Sequence, residues 1–117
     1  NLLPLTIQTH DLLNTETLSQ LKRGAYLINV GRGETLVEED LIPLLDDGHL
    51  SGACLDVFRT EPLAEGHPFW KHKKILITPH NSSSTSPYTV APQILENYRR
   101  AISGHQLFNL VDLEHGY

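Results

Sequence analysis

The chain has 117 residues, 39% hydrophobic and 20% charged, with a net charge of -5. That length is one ordinary domain, and the balance excludes a disordered chain, a collagen-like repeat and a basic nucleic-acid or anionic-membrane surface. No apolar run approaches the roughly 20 residues of a membrane helix, no signal-peptide pattern is visible, and a lone Cys54 makes no internal disulfide, which points to a reducing cytoplasm. The chain holds no Met and opens Asn1-Leu2-Leu3-Pro4, so it reads as the inside of a longer protein, entered just after a strand.

Short apolar runs alternate with helix-length amphipathic segments, the pattern of βα units on a parallel sheet. The spacing predicts a helix over 15–23, with Thr15 as N-cap, Glu16 in the first turn and Gly24 in the left-handed position after its end. Residues 25–30 are almost continuously apolar, as in a strand buried on both faces. A second helix covers 38–47: three acids load its N-terminus, Leu41, Leu44 and Leu45 make one stripe, and Gly48 stops it. Proline inside a helix costs about 3 kcal/mol, so Pro43 implies a start near Glu39 or a bend. Residues 53–58 are the second strand. Residues 60–74 form a loop long enough to suspect a function. Residues 74–78 are the third strand, ended by Pro79. The last helix runs over about 91–103, with Pro92 in its first turn and Ala91, Ile94, Leu95, Tyr98, Ala101 and Ile102 on one face. The tail to Tyr117 has no strong local preference.

In such a sheet the loops after the strands gather along one edge, where ligands bind. These loops begin at Gly31-Arg32-Gly33, at residues 56–62 and at Pro79-His80. Arg32, Asp56, Glu61 and His80 therefore converge from distant parts of the chain. Arg32, between two glycines, offers a planar guanidinium that can hold a carboxylate through two parallel hydrogen bonds. The plain alternative is a surface arginine in a glycine turn. Glu61 precedes Pro62 and is extended or in a turn. A carboxylate beside an imidazole favours the protonated ring, which readies His80 to donate a proton; the plain alternative is a capped loop histidine. Asp56 is either the cap of a turn or an acceptor for a cofactor amide. The other six histidines, His67 and His72 among them, are read as ordinary side chains. Cys54 is read as a small buried hydrophobe, and Trp70 beside Phe69 as core or interface. Residues 81–86 are a polar run leading to the last helix. No H-x-x-x-H, H-E-x-x-H or C-x-x-C spacing occurs, so no metal site is expected; no G-x-S-x-G elbow, G-x-G-x-x-G or P-loop occurs either.

In this order and spacing the motifs resemble those of the D-isomer-specific 2-hydroxyacid dehydrogenases. They are Leu3-Pro4-Leu5-Thr6, Leu12-Leu13-Asn14, Leu21-Lys22-Arg23-Gly24-Ala25, Ile28-Asn29-Val30-Gly31-Arg32-Gly33, Gly52-Ala53-Cys54-Leu55-Asp56-Val57-Phe58, Glu61-Pro62-Leu63, His67-Pro68-Phe69-Trp70 and Thr78-Pro79-His80. Within the family the resemblance is to the glyoxylate/hydroxypyruvate reductase A group, the chain end 111–117 included. It implies an α/β fold over residues 1–117: the C-terminal part of a Rossmann-type NAD(P)-binding domain, about three parallel strands with flanking helices, plus a C-terminal helix and tail. The Gly-rich loop and the substrate domain would lie upstream of Asn1. The resemblance implies a parent oxidoreductase that transfers a hydride from NAD(P)H to a small 2-oxoacid, glyoxylate or hydroxypyruvate, with NADP favoured over NAD; this chain alone is expected to be inactive.

The same resemblance implies that Arg32 holds the substrate carboxylate and carbonyl, that Glu61 pairs with His80, and that His80 donates the proton. It implies that Asp56 contacts the nicotinamide amide, and that Leu3, Pro4, Leu5, Val30, Gly31, Arg32, His80 and Ser82 line the cofactor. The alternative is a non-catalytic dinucleotide-binding module, like the corepressors of the same fold. With half of the nucleotide domain upstream, the strand starting at Ala25 presents an open edge and helix faces stay uncovered, so homodimerisation or other self-association is expected.

Overall fold

Asn14, not Thr15, caps the first helix. Its side-chain oxygen accepts the Thr17 N–H at 3.1 Å, and the Thr17 hydroxyl accepts the Asn14 N–H at 3.1 Å. The computed structural model, which describes residues 1–114 and Gly116, ends this helix, α1 (Thr15–Ser19), well before Arg23. Gly24 does adopt a positive φ of 84°, in the turn that leads to the first strand.

Three parallel strands, β1 (Ala25–Asn29), β2 (Leu50–Leu55) and β3 (Ile75–Ile77), form one sheet in the order β1-β2-β3. β2 begins and ends three residues before its apolar run. Its bounds follow β1, which pairs Ala25 with Leu50 and Asn29 with Leu55. Ser51 and Gly52 belong to the strand although neither is apolar. A Cβ at Gly52 would come within 2.5 Å of the Tyr26 ring and 3.2 Å of the Lys74 carbonyl, so glycine lets the tyrosine lie across the strand. β1 is buried on one face only: Leu27 and Asn29 point inward, while Tyr26 and Ile28 are half exposed. Cys54 is half-buried rather than fully buried. β1 and β3 are the two edge strands of this sheet, and Asn1 lines the end of the β1 edge. Its amino group donates to the Ile28 carbonyl at 2.6 Å, and its own carbonyl accepts the Val30 N–H at 3.2 Å.

α2 (Glu38–Asp46) links β1 to β2 and runs through Pro43. A proline costs about 3 kcal/mol there. Burial of Leu41, Leu44 and Leu45 at about 1.5–3 kcal/mol each outweighs it. These leucines pack with Leu18, Leu27, Leu36, Leu50, Leu55, Phe58 and Phe69 in one core. Phe69 reaches it from a short 3-10 turn (Pro68–Lys71) inside the long loop. The His67 ring caps that turn by accepting the Phe69 N–H. Trp70 is half exposed, and its indole N–H donates to the Ala64 carbonyl at 2.9 Å.

Residues 1–82 form one compact unit and 83–117 another. In the second, α3 (Pro87–Ile102) starts before the expected position, with Pro87 in its first turn and Pro92 in its interior. None of its residues is buried; Ile94, Leu95, Tyr98 and Ile102 are all about half exposed or more. Arg100 pairs with Glu96 at 3.0 Å and lies 3.6 Å over the Phe108 ring. His115 and Tyr117, at the end of the expected tail, lie outside the described residues. No described helix is long and apolar enough to cross a membrane.

Candidate active site

Asn29, Leu55 and Ile77 sit side by side in the sheet, so the segments that follow them leave from one edge. This brings Arg32, Glu61 and His80 to a single cleft of about 260 Å³, lined also by Gly33, Glu34, Phe58 and Arg59. Arg32 is exposed, between two buried glycines. Its guanidinium donates to the Gly31 carbonyl at 2.8 Å, and no carboxylate among the described residues forms an ion pair with it. It keeps its full charge for a ligand.

Glu61 Oε2 lies 2.8 Å from His80 Nδ1, and Glu61 Oε1 accepts the Phe58 N–H at 3.0 Å. The hydrogen bond from His80, helped by that from Phe58, holds the Glu61 carboxyl below its usual value against the cost of burial. An ionised carboxylate only accepts, so His80 Nδ1 carries the proton of this bond. Nε2 is left as the nitrogen that can exchange a proton with a ligand. His80 has a φ of 50°, a left-handed conformation in which a non-glycine residue needs support.

Asp56 supplies that support. It is fully buried, and its carboxylate accepts the Asn81 N–H at 3.0 Å, the Ser82 N–H at 2.9 Å and the Thr78 hydroxyl. Burial pushes its carboxyl up, but hydrogen bonds from Ser82, Thr78 and Asn81 prevail and hold it far below the usual carboxylate range. Asp56 thus ties down the turn on both sides of His80. Asp56 itself exposes no surface to a ligand in this structure and does not line the cleft.

The other site residues divide. The Leu3 carbonyl lies 2.8 Å from where a Gly31 Cβ would sit, and Val30 is half-buried at the end of β1, so both adjoin Arg32. Ser82 stands on Asp56. Pro4 is exposed. Leu5 lines a separate hollow with Thr6, Ile7 and His10. Sequence reasoning passed over Arg59. Its N–H donates to Glu38 at 3.0 Å, its Nε to the Leu36 carbonyl at 2.6 Å, and Nη2 pairs with Asp11. These contacts brace residues 56–62 against 33–38. Its only signal was a charge between the Asp56-Val57-Phe58 and Glu61-Pro62 motifs.

Both depressed carboxyls are ionised in the native state and would sit near 3.8 and 4.5 unperturbed. Their contribution is therefore fully present above those values and is lost as pH falls through the lower native ones. Stability should fall steeply below about pH 4, and Asp56→Asn should flatten that limb. Thermal melts across this range check it; a melting temperature equally pH-dependent in the variant would contradict it.

Residues 1–82 match the family described as "D-isomer specific 2-hydroxyacid dehydrogenase, NAD binding domain". The whole chain is 48% identical to a glyoxylate/hydroxypyruvate reductase A of Photorhabdus laumondii and 45% identical to one of Serratia proteamaculans, spanning 37% of each relative. The chain belongs to the D-isomer-specific 2-hydroxyacid dehydrogenase family.

Solved members share the fold. A dehydrogenase of this family from Xanthobacter autotrophicus Py2, in complex with NADPH and MES, is 48% identical with a TM-score of 0.95 over 99% of this chain and 48% of its own. A glyoxylate/hydroxypyruvate reductase from Sinorhizobium meliloti, in complex with NADP and sulfate, is 38% identical with a TM-score of 0.92 over 99% of this chain and 38% of its own. The family match ends at Ser82, the last residue of the first compact unit, and contains Arg32, Glu61 and His80 with all their supports.

Proposed function

We propose that this chain supplies the acid–base and carboxylate-binding part of an NADPH-dependent reductase of small 2-oxoacids, glyoxylate or hydroxypyruvate, acting in the cytoplasm. The observation that carries this reading is the 2.8 Å Glu61–His80 pair facing the same cleft as an arginine with no carboxylate partner among the described residues. Arg32 holds the substrate carboxylate and orients its carbonyl. Glu61 fixes the imidazole through Nδ1–H, and Nε2 of His80 gives its proton to the carbonyl oxygen as that oxygen becomes a hydroxyl. A bound nicotinamide supplies the hydride.

The residues fit such a ligand: an open cleft at the C-terminal sheet edge, next to a guanidinium and an imidazole, is where this type of sheet takes dinucleotides. Leu3, Pro4, Val30, Gly31 and Ser82 would flank it, while the buried Asp56 would act through the turn it holds and Leu5 lies in its separate hollow. The relatives named for glyoxylate and hydroxypyruvate, and the neighbours holding NADPH or NADP, support the choice of substrate and cofactor. The half-exposed Tyr26, Ile28 and Leu76 would be covered by the rest of the parent or by a second copy.

The test uses the full-length parent. It should oxidise NADPH on addition of glyoxylate or hydroxypyruvate, and Arg32→Ala should abolish this while the far-ultraviolet spectrum stays unchanged. A parent that binds NADPH yet turns over neither acid would be a dinucleotide-binding module instead.

A further inference from the structure

Among the described residues three polar side chains are fully buried: Asn29, Thr35 and Asp56. All three lie beneath the same sheet edge. Asp56 holds the His80 turn. The other two hold the opposite side of the cleft. The Arg32 carbonyl accepts the Thr35 hydroxyl at 2.6 Å, the Thr35 N–H at 3.3 Å and the Asn29 side-chain amide at 3.4 Å. Asn29 Oδ1 accepts the Gly31 N–H at 3.2 Å, so the residue before Arg32 is fixed as well. Asn1 closes the knot: its side-chain amide reaches Asn29 Oδ1 at 3.0 Å and Thr35 Oγ1 at 2.8 Å.

A buried hydroxyl or amide costs free energy unless it is hydrogen-bonded, and an apolar residue of the same shape is often as stable or more so. A strand end that served only the core would carry valine or leucine. Here every side-chain hydrogen bond of Thr35 and Asn29 goes to the Arg32 carbonyl, to the Gly31 N–H just before it, or to the Asn1 side chain that completes the cluster. The backbone of Arg32 is thus held from below, while its side chain above carries no ion pair with a described residue. The guanidinium needs a fixed root, because a bidentate carboxylate contact loses its second bond when the planar group is displaced.

We infer that Thr35 and Asn29 are positioning residues for Arg32: they set the guanidinium where it receives the substrate carboxylate and touch neither substrate nor cofactor. This rests on the proposed function of the cleft.

The experiment is kinetic, on the full-length protein with NADPH, using Thr35→Val, which keeps shape and removes the hydroxyl, and Thr35→Ser, which keeps the hydroxyl. Thr35→Val should raise the KM for glyoxylate about tenfold and weaken binding of oxamate, an unreducible carboxylate, by the same factor. Its kcat should stay within about threefold, and Thr35→Ser should restore both constants. A role in stability alone would lower the melting temperature or the active fraction and leave both constants unchanged. Should Thr35→Val not fold, Thr35→Ala removes the same hydroxyl without new bulk and is read in its place; failure of both to fold, with Thr35→Ser sound, would assign the hydroxyl to stability and overturn the inference. An active wild type whose valine variant keeps KM and oxamate affinity would overturn it too. A wild type that neither reduces glyoxylate nor binds oxamate would overturn the proposed function together with it.

Discussion

In the full-length protein, His80→Gln should lower kcat about 10²–10⁴-fold, the range in which a positioned general acid contributes. KM should change little, because in the proposed function the carboxylate is held by Arg32 on the other side of the cleft. Glutamine keeps an N–H to offer Glu61 but has no proton to give near neutral pH. Steady-state kinetics check this, and a kcat within tenfold of wild type would remove His80 from the proton transfer. The 2.8 Å bond from Nδ1 to Glu61 leaves Nε2 as the only ring nitrogen for the substrate.

Gly33→Ala should destabilise the protein by about 3 kcal/mol, the upper end of ordinary overpacking. A Cβ there would stand 2.0 Å from the carbonyl carbon of Phe58, 2.1 Å from its oxygen and 2.6 Å from the Arg59 nitrogen. All three are backbone atoms and no rotamer relieves them. Residues 33–35 and 58–59 must part, and with them Arg32 and Glu61, so activity should fall with stability. Gly66→Ala is the control: nothing lies within 4 Å of its added methyl, and its φ is not in the left-handed region. Chemical denaturation of the two variants checks the pair. Equal midpoints would show that the close approach at Gly33 can relax.

The alternation of strands and helices and the meeting of Arg32, Glu61 and His80 were legible because they follow from periodicity and from the geometry of a parallel sheet; Asp56, expected beside them, is instead buried beneath the His80 turn because its carboxylate is used up by that turn's N–H groups. Element ends were less so. β2 was displaced by three residues because hydrogen bonds to β1, not its own apolar content, set its limits. α3 began earlier because Pro87, not Pro92, took the first turn. β1 looked doubly buried because Tyr26 and Ile28 are apolar, yet apolar character does not report what covers a face. The buried supports were hardest. Asn29 interrupts an apolar run and was a signal left unused. Thr35 gave none, since a threonine after a glycine turn is common and its hydrogen bonds exist only once the loop has folded back.

The pairing between β1 and β2 works as a ruler for the chemistry. Asn29 stands opposite Leu55, and the Asp56 N–H bonds to the Asn29 carbonyl, so the anchors of the two sides of the cleft are adjacent rungs of one ladder. One residue inserted within Leu50–Leu55 would advance the chain by about 3.3 Å and turn each later side chain to the opposite face. Asp56 would leave the turn it holds, and Glu61 would lose its distance to His80 even with every catalytic residue still present. The same insertion among the exposed residues 64–66 costs a few tenths of a kcal/mol in loop closure plus the turn bond from the His67 N–H to the Ala64 carbonyl, and shifts no strand. Changes of chain length are thus costly in the sheet and cheap in the loop, so this half of the cleft tolerates reshaping from the loop and not from the strands that set its register.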